Sequence, residues 1–154
     1  MTAGSIPSQD IDVEVRRLVY DAFISDGTAT SQEQVAHQLQ VPISEVRASF
    51  GRLAEAHMLV LQPGSGEALM ANPFSAVPTA FRVEAGGRGW WGNCIWDALG
   101  ICAMTGLDAI VRTSCPDCGE AMSLVVERSE LKPAEGIAHF AVPAAHWWDD
   151  VLFT

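Results

Sequence analysis

Punctuation, more than composition, limits what this chain can fold into. The segment DIDVEVRRLVYDAFISDG spaces Val13, Leu18 and Ala22 as one apolar stripe and stops at Gly27, which predicts an amphipathic helix. TSQEQVAHQLQVP then offers Ser31 and Gln34 as a capping-box pair that starts a short second helix, and Pro42 closes its turn. ISEVRASFGRLAEAHMLV predicts a third helix running into the apolar strand MLVLQ and the turn PGSGE. Three helices and a β-hairpin in that order describe a winged helix-turn-helix unit, assigned to residues 1–71.

Residues 72–89 form the joint. Pro73 and Pro78 stiffen this segment, Gly86, Gly87 and Gly89 loosen its end, and its apolar residues predict a stretch packed against both halves rather than a free linker. In residues 90–154, WGNCIWDALGICAMTG has the length and pattern of a helix. AIVRTSCP and AMSLVVERS read as strands around the turn CPDCGE, and GIAHFAVP as a further strand. The expected fold class is α+β, with the N-terminal winged-helix unit packed on a small mixed β-sheet core.

The 19 acidic residues outnumber the 9 basic ones, for a formal net charge of −10. Residues 1–83 carry five basic and nine acidic side chains and residues 84–154 four and ten, so neither half offers a basic face by total charge. Phosphate-backbone binding depends on clustered Lys and Arg, so no nucleic-acid partner is expected. The DNA-reading candidates on the third helix, Glu45, Arg47, Arg52 and Glu55, set two bases against two acids. A packing or dimerisation module is the favoured reading of the unit, and His37 and His57 are expected to be solvated or capping. No uninterrupted apolar run is long enough to span a bilayer and MTAGSIPSQDIDVEVRRLVY lacks the basic start of a secretion signal, so a soluble, cytoplasmic protein without membrane contact is expected.

All four cysteines, Cys94, Cys102, Cys115 and Cys118, lie in the second half, too few for a disulfide scaffold and better suited to metal or thiol chemistry. Three residues apart on a helix share a face, so Cys94 and Asp97 are expected in one pocket, a thiolate beside a proton donor. Burial among Trp90, Trp91 and Trp96 is expected to raise both pKa values. Core filler is the competing reading of this pair, since free cysteine is among the most buried residue types. CPDCG, with Cys115 and Cys118, reads as half a zinc site, a redox couple or a structural turn set by Pro116 and Gly119; a full zinc site needs about four ligands, drawn from Cys94, Cys102, His139 or His146. In HWWDDVLFT, His146, Asp149 and Asp150 are candidates for a hard metal or a proton relay, and Trp147 and Trp148 are expected to cover the core or a pocket mouth, against the tryptophans around Cys94.

Four segments in this order, NPFSAVPTAFRV, WWGNCIWDALGI, SCPDCGEAMSLVV and HFAVPAAHWWDD, resemble the organomercurial (alkylmercury) lyase family in order and spacing, over roughly residues 10–154. The resemblance implies cleavage of a carbon–mercury bond by protonolysis. Thiolate takes the mercury, a carboxyl delivers a proton to the departing carbon, and a thiol removes the metal. By position Cys94 matches the family's first catalytic cysteine, Asp97 its catalytic acid, and Cys115 a cysteine used structurally. The implied partners are a small organomercurial and thiols; no cofactor is required, mercury arrives with the substrate, and Cys115 and Cys118 could hold zinc. The chain departs from the pattern where the family has its second catalytic cysteine, because WWDDVLFT contains none. Cys102, about 80° round an ideal helix from Cys94, is the one candidate substitute nearby. Two other functions stay open: a soft-metal (Zn, Hg or Cu) binding or sensing module on Cys94, Cys115 and Cys118, and a winged-helix transcriptional regulator.

Overall fold

The computed structural model describes residues 8–132 and 136–151. Helix α1 (Ser8–Asp26) is followed by α2 (Gln32–Leu39) and α3 (Ile43–Glu55). The short strands β1 (Val60–Leu61), β2 (Ala68–Ala71) and β3 (Phe74–Ser75) lead into the longer β4 (Phe81–Ala85) and β5 (Arg88–Gly92). Helix α4 (Ile95–Thr105) precedes β6 (Ala109–Ser114), β7 (Ala121–Glu127) and β8 (Glu130–Lys132), and a single 3-10 turn covers Ala144–His146.

Among the described residues eight strands join one sheet in the order β1-β2-β3-β5-β4-β6-β7-β8. Every pairing is antiparallel, which corrects the expected small mixed sheet. Tight turns at Gly86 and Gly87, at CPDCGE and at Arg128 and Ser129 permit only antiparallel neighbours, since a parallel pair needs a crossover of about a dozen residues. The single helical crossover, α4, does not make a parallel pair, because β6 returns beside β4 rather than β5. The joint at 72–89 is therefore strand for much of its length and lies at mid-sheet. Two further differences concern the end of the chain: Glu130–Lys132 is a strand, and residues 136–143 are not.

The capping box of α2 forms as expected, with the Gln34 N–H donating to Ser31 Oγ at 3.2 Å and the Ser31 N–H to Gln34 Oε1 at 2.9 Å. In α1 the buried stripe is Ile11, Val15, Val19 and Phe23, whereas Val13 is 64% exposed, so the apolar face is rotated from the expected one. That stripe faces Val35, Val46, Phe50, Leu53 and the sheet residues Phe74, Val83 and Trp90 in one continuous core. Phe23 stacks on Phe74 with ring centroids 5.3 Å apart, and Trp90 Nε1 donates to the Phe23 carbonyl at 2.7 Å. The three N-terminal helices are thus seated on the sheet that carries α4.

Candidate active site

Strand β5 ends at Gly92, hydrogen-bonded between β3 and β4, and the chain turns at once into α4. A side chain at Gly92 would put its Cβ 2.7 Å from the Ala98 nitrogen, so glycine lets the first turn of the helix press on the strand end. Asn93 pins the connection: its Nδ2 donates to Asn72 Oδ1 at 3.1 Å and to the Phe74 carbonyl at 3.4 Å. Cys94 follows as the extended N-cap residue, φ −145° and ψ −177°, its carbonyl accepting from the Ala98 N–H at 3.0 Å.

The sequence correctly pairs Cys94 with Asp97, but the geometry differs from that of two residues inside a helix. Cys94 is the cap, and Asp97 is the third helical residue, the position from which an acid reaches back to the cap. The Asp97 carboxyl is within hydrogen-bonding reach of the Asn93 side-chain amide, the Cys94 thiol and the backbone N–H groups of both residues, all of which favour its charged form. Burial outweighs them and raises its pKa. Burial likewise raises the Cys94 thiol, reinforced by the negative charge of Asp97. The N–H groups of Asp97 and Trp96 work the other way by facing the sulfur, although no full side-chain capping bond closes. Burial thus moves both groups toward their protonated forms.

Cys94 and Asp97 open onto a cavity of about 140 Å³. Met70, Asn72 and Asn93 form one side, and Phe140, Trp147, Trp148 and Val151 form an apolar wall opposite. A larger hollow of about 660 Å³ lies beside Arg82, Glu84, Arg88 and Asp108, but no cysteine lines it, so the smaller cavity is the candidate site. The expected walls, Trp90, Trp91 and Trp96, are elsewhere. Trp90 is in the core, Trp91 lies under the Arg82 guanidinium at 4.6 Å, and Trp96 is 66% exposed. The C-terminal tryptophans do reach the pocket mouth: Trp147 packs on Phe140 and donates from Nε1 to the Val142 carbonyl at 2.8 Å, while Trp148 stacks on His57 at 4.1 Å.

Other candidates are not brought in. Cys102 is buried and its thiol donates to the Ala98 carbonyl, so it does not line the cavity. His146 and Asp149 bond each other at 2.9 Å, and Asp150 is exposed. Cys115 and Cys118 occupy the β6–β7 turn, where the N–H groups of Cys118 and Asp117 hold the Cys115 thiol below its usual pKa. Among the described residues no three His, Cys, Asp or Glu side chains gather to hold a metal. Sequence reasoning missed Met70, Asn72 and Asn93. Asn93 is adjacent to the cap and was open to local reading, whereas Met70 and Asn72 reach the site only through the β2–β3–β5 pairing.

The alkylmercury lyase family model matches residues 74–154, just over half of the chain and the whole of the Cys94 turn. The chain belongs to the alkylmercury lyase family. Its fold is similar to a crystal structure of the mercury-bound form of MerB2, with a TM-score of 0.62 and 21% identity, covering 80% of this chain. The match spans 58% of the length of that structure. No curated protein matches the chain.

Proposed function

We propose that this alkylmercury lyase family member captures an organomercurial at Cys94 and protonates its carbon from Asp97. The observation that carries the reading is the shared cavity: one soft sulfur, one buried carboxyl and an apolar wall within the same small space. In the first step a cationic R–Hg⁺, delivered as its thiol complex, exchanges onto Cys94. A Cys94 S–Hg bond forms, the bond from mercury to the carrier thiolate breaks, and the Cys94 proton leaves on that thiol. Soft thiolate suits this cation better than any carboxylate. In the second step protonated Asp97 gives its proton to the carbon of the Hg–C bond; R–H departs with that proton, and mercury remains on Cys94 with the Asp97 carboxylate as counter-charge. Added thiol then displaces mercury from both, returning a proton to each.

Burial supports the second step. It raises the Asp97 pKa, toward the protonated form a donor needs. A cavity of about 140 Å³ suits a short alkyl group or one phenyl ring, because an apolar cavity of roughly 150 Å³ takes benzene. No resident cofactor enters this scheme, and the N-terminal helices and β1–β2 act as a winged-helix-like packing module in a soluble, cytoplasmic protein. A second reading, capture without turnover, is favoured by one observation: Cys94 is the single cysteine of the cavity lining. Cys94→Ser should remove one phenylmercury equivalent per chain in intact-mass measurement under native conditions while the circular dichroism spectrum is unchanged. An adduct of equal occupancy in the folded variant would refute the role of Cys94.

A further inference from the structure

The tip of the β6–β7 hairpin carries a second pair of sulfurs. Ser114 and Ala121 are the last ladder partners. Beyond them the Cys115 N–H donates to the Glu120 carbonyl at 2.8 Å and the Gly119 N–H to the Cys115 carbonyl at 2.9 Å, closing a tight turn. Gly119 supplies the left-handed residue, φ +73°, that the return to β7 requires. The bond from Gly119 to Cys115 closes one five-residue turn, whose first and fourth residues lie three apart in sequence. Cys115 and Cys118 occupy those positions, and the Cys118 thiol is within hydrogen-bonding reach of the Cys115 sulfur. Both are free thiols, Cys118 exposed and Cys115 half-buried.

Two donors are too few for structural zinc, which takes four. Among the described residues no third cysteine, histidine or carboxylate completes a set. An exposed pair of soft donors with no hard ligand suits a soft cation that is satisfied by two thiolates in line. We infer that Cys115 and Cys118 form a second soft-metal site, distinct from the Cys94 cavity, that holds mercuric ion as a bis-thiolate. Loading is thiol exchange: Hg(SR)₂ and the two protein thiols give the protein-bound S–Hg–S unit and two RSH. Two Hg–S bonds break and two form, each protein proton leaves on a released thiol, and no electron moves. The turn outcompetes free monothiols because its second sulfur is already tethered beside the first. This site stands independently of the Cys94 reading, and within that reading it can receive the inorganic mercury left by protonolysis.

The test uses the full reduced chain, mercuric chloride and an excess of a monothiol, with mercury per chain measured after gel filtration. Because added thiol strips mercury from Cys94 and the two-sulfur turn resists it, wild type should retain one equivalent, Cys94→Ser one, and Cys115→Ser/Cys118→Ser none. Cys118→Ser added to Cys94→Ser should weaken retention against the monothiol by at least about 10-fold, the scale on which a tethered second donor acts. Equal retention by Cys94→Ser with and without Cys118→Ser would overturn the site, as would one equivalent in wild type that is lost entirely in a folded Cys94→Ser variant. A tetrahedral cobalt(II) spectrum that disappears in Cys115→Ser/Cys118→Ser would overturn the two-donor assignment. Loss of the phenylmercury adduct at Cys94 in that double variant would count against the cavity reading instead, leaving the turn to be judged by the Cys94→Ser stoichiometry.

Discussion

Asp97 is held in a conflict that its surroundings settle by burial. Four hydrogen-bonding groups around the start of α4 favour the carboxylate, yet desolvation is the larger influence and the pKa is raised. A raised carboxyl pKa means that the folded chain binds this proton more tightly than the unfolded chain. Its stabilising contribution is therefore complete below the ordinary carboxylate range, about pH 4, and is lost as pH rises through the raised value. Asp97→Asn removes that titration. Its melting temperature relative to wild type should accordingly increase between pH 4 and pH 7 in thermal unfolding, and a difference that stays flat or shrinks would contradict the burial argument. The residue pair itself was legible as a spacing of three. Its geometry was not, because a cap residue and a residue inside a helix look alike until the strand before them is known to end at Gly92.

At the scale of elements, the site depends on how closely the first turn of α4 sits on β5. Gly92→Ala would force its Cβ against the Ala98 backbone, whose nitrogen and Cα lie 2.7 and 3.0 Å from that position. Neither backbone atom can move alone, so α4 must shift and carry Cys94 and Asp97 with it. The expected cost is about 1–3 kcal/mol in urea unfolding, the usual range for overpacking, together with slower adduct formation by phenylmercury. Unchanged stability and unchanged capture would show that the close approach is not needed. Elements with strong local signals were readable: the α2 capping box, the helix that follows Cys94, and the β6–β7 hairpin. The hairpin expected of MLVLQ and PGSGE forms as β1 and β2, whereas the two-residue strand β3 was not resolved as a sheet element, since so short a run shows no period and it pairs with β5, distant in sequence. The face of α1 was misjudged for a related reason. Val13 is as apolar as Val15, and only the sheet and α3 decide which of them is covered.

At the scale of the whole molecule, one core joins the helices to the sheet, and charge argues about partners. The chain carries a formal charge of −10, and Arg52, one of two arginines on α3, is engaged by Asp12 through contacts of 2.8 and 2.6 Å. Fluorescence anisotropy should accordingly detect no duplex DNA binding at physiological salt; submicromolar affinity would mean that the remaining bases are focused on one face despite the total. The same global view explains why the cavity was only partly foreseen: its walls come from β2, the β5–α4 turn and the C-terminal segment, brought together by an eight-stranded sheet whose order no local pattern encodes. The central claim is that Cys94 holds the metal and Asp97 supplies the proton. Its most direct test is benzene release from a phenylmercury salt in excess thiol, measured by gas chromatography for wild type and Asp97→Asn alongside the adduct at Cys94. The account predicts benzene from wild type and, from Asp97→Asn, an intact adduct with benzene reduced at least about 100-fold, the scale of a lost general acid. Equal benzene from the two proteins would contradict it.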